Sequence, residues 1–277
     1  MATPKKSCTL DPMPTPLVVG CIDILLPVIT NIINLSLHTG SFADQWKCAL
    51  VHPLLKKLGL DLIFQSFRPV SNLQYIPKLT EKAVFSQTHE HMFVNEIYPD
   101  LQSSYRQHHS TETALLKVMN DVLLKMNSQL VTFLVLLNLS AAFDTVVHNI
   151  LLERLRRDVG IRGKVLDWFS SYLSIRSPQV SIDGSLSRQF PLGCGVPQGS
   201  CLGPLLFVIY TSSLFKVTER HLPQVHCFAG DTQLILSYRA DEDNAQDVAL
   251  RAMKECIRDI RNWLIDGLGS SSTNLAP

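Results

Sequence analysis

The 277-residue chain is 46% apolar and 18% charged, with Gly 13 and Pro 15, which excludes disordered, collagen-like and linker material. That length buries a sizeable core, as one large domain or two ordinary ones. Lys+Arg 25 against Asp+Glu 24 leaves a net charge of +1, without the basic excess of a protein that neutralises many phosphates.

The cysteines stand at 8, 21, 48, 194, 201, 227 and 256, an odd number with no C-x-x-C pair. They are expected to be buried reduced thiols in an intracellular protein of the cytoplasm or nucleus. The nearest approach to a ligand cluster is His221, His226 and Cys227, with His89 and His91 elsewhere. Such scattered histidines are expected to be surface or satisfied core residues rather than metal ligands.

In chain order, residues 1–16 hold Pro4, Pro12, Pro14 and Pro16 and read as an extended lead-in. The apolar stretch Leu17–Leu37 follows Lys5 and Lys6, as a signal or membrane segment would. Asp23, Pro27, Asn31 and Asn34 interrupt it, and Ile22, Leu25, Leu26, Ile29, Ile33 and Leu37 recur at helical spacing. It reads as a soluble amphipathic helix over about 17–38, ending near Gly40, with no signal peptide and no membrane span. Pro53, Pro69 and Pro77 then fit loops and edge strands better than long helices. Ser110 and Thr111 offer an N-cap, with Glu112 in the first turn, to a helix carrying Ala114, Leu115, Val118, Met119, Val122, Leu123 and Met126.

Leu130–Leu137 (LVTFLVLL) is continuously apolar and reads as a strand buried on both faces. Val165, Phe169, Tyr172 and Leu173 mark a helix, and Asp183-Gly184 a two-residue hairpin turn. Gly203-Pro204 opens a helix through Phe215, with proline at a tolerated first-turn position. His226–Tyr238 reads as two short strands around a tight turn at 229–231. Asp241, Glu242 and Asp243 precede a last helix with the stripe Val248, Ala252, Met253, Cys256, Ile257, Ile260 and Trp263, and Gly267 as its stop. Strands and helices alternate irregularly, so the expected class is α+β rather than a doubly wound sheet.

Four segments carry chemistry: Phe67–Leu73 (FRPVSNL), Leu101–Leu116 (LQSSYRQHHSTETALL), Leu136–His148 (LLNLSAAFDTVVH) with Gly195–Phe207 (GVPQGSCLGPLLF), and Phe228–Leu234 (FAGDTQL). In this order and spacing they resemble the reverse transcriptase domain of LINE-type, non-long-terminal-repeat retrotransposons, over about residues 5 to 265. Lys6–Thr15 (KSCTLDPMPT) is similar to the segment just before that domain. The resemblance implies the fingers and palm of a right-handed polymerase with a mainly antiparallel palm sheet. It divides the chain into a lead-in (1–16), a fingers-like region (17–129), a palm-like region (130–265) and a disordered tail (266–277).

The reaction so implied is RNA-directed DNA synthesis, with an RNA or DNA template-primer as partner and Mg²⁺ as cofactor. Two such ions activate the primer hydroxyl and stabilise the leaving pyrophosphate, and hard carboxylate oxygens hold them. Family aspartates end the first palm strand and fill the hairpin turn of the third motif. Here those positions are Asn138, Gly230 and Asp231, so Asp231 alone remains as catalytic remnant and metal ligand. Asn138 offers a carbonyl oxygen without charge, and Gly230 no side chain. Asp144, six residues on, is expected to be structural.

By the same resemblance Phe143 packs under the incoming sugar, Gln198 and Gly199 position template and nucleotide, and Arg68 and Arg106 lie near template and triphosphate. An aromatic at a strand end is equally a core residue, and each arginine equally a surface one. His108 stands where the family has glycine. The chain is expected to lack the closing palm elements, the thumb and any preceding endonuclease. The leading expectation is therefore a reverse-transcriptase-like domain without catalysis. The alternatives are a non-enzymatic nucleic-acid-binding module using Arg68, Arg106 and Gln198, and residual polymerase activity through Asp231. Nucleic-acid binding is expected to be weak, no membrane partner is expected, and the oligomeric state is open.

Overall fold

A computed structural model describes residues 7–106, 108–139 and 143–269. Met1–Lys6, Gln107, Ser140–Ala142 and most of the expected tail lie outside the described residues.

The N-terminal helical stretch breaks at Cys21 into α1 (Thr15–Gly20) and α2 (Ile22–Thr39). The predicted stripe faces inward at Ile29, with Ile22, Leu25, Ile33 and Leu37 half-buried, whereas Leu26 is exposed. Gly40 ends α2 at φ +66, and a Cβ there would meet the Lys164 carbonyl oxygen at 2.8 Å. The outer face is apolar too, with Ile24, Val28 and Leu35 exposed, so α2 is long and apolar enough to cross a membrane by length and composition.

β1 (Leu50–Leu55) and β2 (Phe67–Asn72) pair antiparallel with Pro53 opposite Pro69. β1 also pairs in parallel with β4 (Gln179–Ile182), but only through Leu50 and Val51, so Pro53 lies past the last rung that needs its missing N–H. β4 continues into β5 (Ser185–Leu186) through Asp183 and Gly184, both at positive φ, as the hairpin signal requires. The sheet order is β2-β1-β4-β5.

Pro77 departs from its expected reading. It lies in the first turn of the 20-residue helix α3 (Tyr75–Val94), where no intrahelical N–H is demanded of it. α4 (Thr111–Asn127) starts as expected: Ser110 Oγ accepts from Thr113 N at 3.2 Å, and Thr113 Oγ1 accepts from Ser110 N at 2.8 Å. Its inward residues are Ala114 and Val118, while Leu115, Met119, Leu123 and Met126 are exposed.

β3 (Leu130–Asn138) corrects the expectation of burial on both faces. It is the edge of a three-stranded sheet ordered β3-β7-β6, and its burial alternates. Phe133, Val135 and Leu137 pack on the core, while Leu134 and Leu136 (69% exposed) point outward. A continuous apolar run records hydrophobicity but not which sheet face is covered. α5 (His148–Arg157) and α6 (Gly163–Leu173) follow. The helix from Gly203 breaks at Ser212 into α7 (Gly203–Thr211) and α8 (Ser213–Thr218).

β6 (Gln224–Phe228) and β7 (Asp231–Arg239) form the expected hairpin. β7 lies between β3 and β6 and is antiparallel to both, the split β-α-β arrangement. α9 (Ala245–Gly269) continues through Gly267, beyond its expected stop. Met253, Cys256 and Ile260 of α9 pack with Leu234, Leu236 and Val225 of the hairpin, and Trp263 Nε1 donates to Ser213 Oγ at 3.0 Å.

Two compact units result, neither continuous in sequence. One comprises residues 1–94 with 148–206, the other 95–147 with 207–277. The first is centred on Phe42, whose ring meets Trp46, Trp168 and Tyr172 edge-on at 5.1–5.5 Å. The second is built on β3-β7-β6 and α9. Cys8, Cys227 and Cys256 are buried, whereas Cys21 is exposed and Cys48, Cys194 and Cys201 are half-buried, which corrects the expectation that burial is general.

Candidate functional site: a hairpin turn and a moored loop

The register of β3 on β7 places Asn138 directly opposite Asp231, both exposed. Cross-strand partners hold their Cβ atoms about 5 Å apart, so the two side chains stand side by side on one face of the sheet. Phe228 pairs with Asp231, leaving Ala229 and Gly230 as the turn, with Ala229 at φ +54. Gly230 keeps a backbone role: its carbonyl accepts from Leu139 N at 3.0 Å, carrying the ladder past the end of β3.

The turn is held from the side by the second motif. Cys227 N donates to Leu101 O at 2.8 Å, and Ser103 N to Cys227 O at 2.9 Å. Buried Gln102 accepts at Oε1 from Ala229 N at 3.1 Å and from the Ser104 hydroxyl at 2.8 Å. His226, also buried, lies 2.9 Å from both Ser103 Oγ and Gln233 Oε1, and His221 lies 3.0 Å from Asp259. Both are satisfied structural histidines, as expected of scattered ones. Gln102, Ser103, Ser104 and Gln233 were missed in the sequence, although their motifs contain them, because only the register shows what they touch.

Arg106 directs Nη1 at the carbonyls of Pro99, Asp100 and Gln102 (3.2–3.4 Å) and stacks over the Tyr98 ring. It thereby closes its own loop. His108 adopts φ +63, the left-handed conformation that glycine takes freely. Phe143 is half-buried with its ring 5.3 Å from that of Phe207, and Asp144 is exposed.

The other sequence-selected residues lie in the first unit. Arg68 is exposed on β2. Gln198 is half-buried, and its carbonyl accepts from Ser71 N at 2.7 Å. Gly199 follows at φ +118, where a Cβ would stand 2.6 Å from the Ser71 carbonyl oxygen, so the turn is laid directly on β2 and only glycine fits.

Two further residues hold this turn, and Arg176 lies beside one of them. His148 Nε2 lies 2.8 Å from Gly195 O, and burial pushes its imidazole pKa below the ordinary value. Glu81 of α3, 1% exposed, accepts from Cys201 N at 2.7 Å and from the Tyr172 hydroxyl at 3.1 Å. Desolvation raises its pKa, opposed first by the charge of Arg176. Arg176 is itself buried, with Nε donating to Tyr172 O at 2.9 Å, its guanidinium 4.3 Å over the Tyr172 ring, and Nη1 and Nη2 without a hydrogen-bond partner among the described residues. Nothing in the sequence around Glu81 distinguishes it from a solvated glutamate.

The donor set at the hairpin turn does not fit the two-ion arrangement. Asp231 is one carboxylate, Asn138 is neutral and Gly230 lacks a side chain. Among the described residues no group of three or more His, Cys, Asp or Glu side chains is placed to hold a metal.

The mixed α+β fold with this antiparallel three-stranded sheet is similar to that of telomerase. Apo telomerase from Candida tropicalis, truncated from its C-terminal domain, matches 78% of this chain and 47% of its own length with a TM-score of 0.54 at 12% identity, a likeness of fold. The reverse transcriptase (RNA-dependent DNA polymerase) family model matches residues 55–268, and the chain belongs to that family.

Among curated relatives, the RNA-directed DNA polymerase from mobile element jockey of Drosophila melanogaster is 30% identical over 219 residues, 79% of this chain and 23% of the relative. The probable RNA-directed DNA polymerases from transposon BS and transposon X-element of the same species are 27% and 28% identical, covering 84% and 89% of this chain. The chain spans about a quarter of these relatives' lengths. The domain is thus a reverse transcriptase domain of the non-long-terminal-repeat, LINE type.

Proposed function

We propose that the chain is a reverse-transcriptase-like domain that keeps the family's scaffold and has lost its metal-dependent nucleotide transfer. In this reading the second unit, with β3 and the β6–β7 hairpin, is the palm, and residues around β1, β2 and α3 are fingers. The observation that carries it is Asn138 facing Asp231 across the ladder, with Gly230 beside them. A pair of Mg²⁺ ions brings four positive charges to one carboxylate. Losing one preorganised electrostatic group costs about 10²–10³ in rate, and two such losses at a shared site leave almost nothing.

Template–primer affinity is weak in this reading. Net charge is near zero, and Arg106 is committed to backbone carbonyls, which leaves exposed Arg68 and the Gln198–Gly199 turn as the nucleic-acid face. Primer extension with Mg²⁺ or Mn²⁺ tests the proposal. The unaltered chain is expected to extend nothing, and extension by it overturns the reading. The Asn138→Asp/Gly230→Asp variant run beside it shows whether carboxylates alone restore transfer.

A further inference from the structure

We propose that Glu81 is a positioning residue that moors the Gly195–Cys201 turn and so fixes where Gln198 and Gly199 present themselves. The mooring stands on the geometry of the first unit alone; its meaning for template handling rests on the reading above.

The turn is fastened at three places. Gly195 O meets His148, Gln198 O meets Ser71 N, and Cys201 N meets Glu81. The first two use the turn's carbonyls. Glu81 takes the amide just ahead of α7, where the backbone N–H groups of a helix start converge and favour an anion. Each of its carboxylate oxygens has a donor, Cys201 N at 2.7 Å and the Tyr172 hydroxyl at 3.1 Å, so α3, α6 and the turn meet on one side chain.

Arg176 supplies buried positive charge nearby, with its face on Tyr172. Burying a carboxylate is costly unless it is hydrogen-bonded and charge-compensated, and an apolar side chain fills such a space without that cost. The distinct contribution of the carboxylate is therefore a directed acceptor for one amide of the turn. A Cβ on Gly199 would stand 2.6 Å from the Ser71 carbonyl oxygen, so the turn has little room toward β2 when Cys201 shifts.

Amide hydrogen exchange on the full chain tests this, with urea unfolding as the control for global stability. A hydrogen bond to a charged group is worth about 1.5–3 kcal/mol, so Glu81→Ala is expected to speed exchange over 195–202 by about 10- to 100-fold. Exchange in α6 should stay within about twofold. Glu81→Gln keeps one acceptor and is expected to recover most of the protection, and Tyr172→Phe, which leaves the Cys201 bond in place, to stay close to the unaltered chain.

Unchanged exchange over 195–202 in Glu81→Ala, or a uniform rise across the whole unit, overturns the mooring. If Glu81→Ala does not fold, Glu81→Leu, which fills the space without offering an acceptor, decides: a rise confined to 195–202 supports the proposal, and none or a uniform one sinks it. A low-salt titration with a primer–template duplex runs alongside. Absence of binding there removes the nucleic-acid role of the turn while leaving the exchange result standing.

Discussion

Inside the first unit His148 keeps its imidazole against the Gly195 carbonyl, and burial there disfavours the charged ring. A histidine whose folded pKa lies below its ordinary value adds stability above that value, near 6.5, and loses it as pH falls through the folded pKa. The unaltered chain is therefore expected to lose more stability between pH 7.5 and 5.5 than His148→Gln, measured by urea unfolding at both values. Glu81 has the opposite sign: its raised pKa makes its contribution largest at low pH and smaller as pH rises.

Two backbone positions give further tests at this scale. Gly199→Ala, at φ +118 against the Ser71 carbonyl, is expected to cost at least about 2 kcal/mol in denaturant unfolding. His108→Gly relieves a left-handed conformation and is expected to be neutral or stabilising by up to about 1 kcal/mol. That departure was legible in the motif, since glycine is the residue the turn wants. Glu81 was not legible, because nothing in its neighbourhood along the chain distinguishes a buried carboxylate from a solvated one.

At the scale of elements, what is written in local chemistry emerged in place. The Ser110 cap, the Asp183-Gly184 turn, the Gly40 stop and the β6–β7 hairpin each depend on residues within a few positions of one another. Where the reading failed, a local signal was ambiguous. Pro77 breaks a helix interior but not a first turn, and the apolar run of β3 fits a covered strand and a half-covered edge equally.

The edge position of β3 makes a direct prediction. Leu136→Lys on the open face should change stability by no more than about 0.5 kcal/mol, whereas Leu234→Ala in β7, 0% exposed, should cost about 2–5 kcal/mol. Equal effects in thermal unfolding of the two variants would contradict the register of the sheet.

For the molecule as a whole, the notable surface is the connection between β1 and β2. Leu58 (100% exposed), Leu62 and Phe64 (95% exposed) stand out from it. Contiguous exposed apolar groups promote association. The chain is expected to self-associate at micromolar concentration, and Leu58→Ser/Leu62→Ser/Phe64→Ser to reduce this in light scattering without lowering the unfolding midpoint.

The amino-acid order alone determined the family, most of the helices and hairpins, and the presence of Asn138, Gly230 and Asp231 at the hairpin, because motif identity and turn chemistry are properties of neighbours along the chain. Tertiary structure decided which distant residues meet: Asn138 with Asp231, Ser71 with Gln198, Glu81 with Cys201, Gln102 with Ala229. It also assembled each compact unit from two separated stretches of chain. Such encounters depend on strand register and on which side chains the fold withdraws from water, and neither is encoded at any single position.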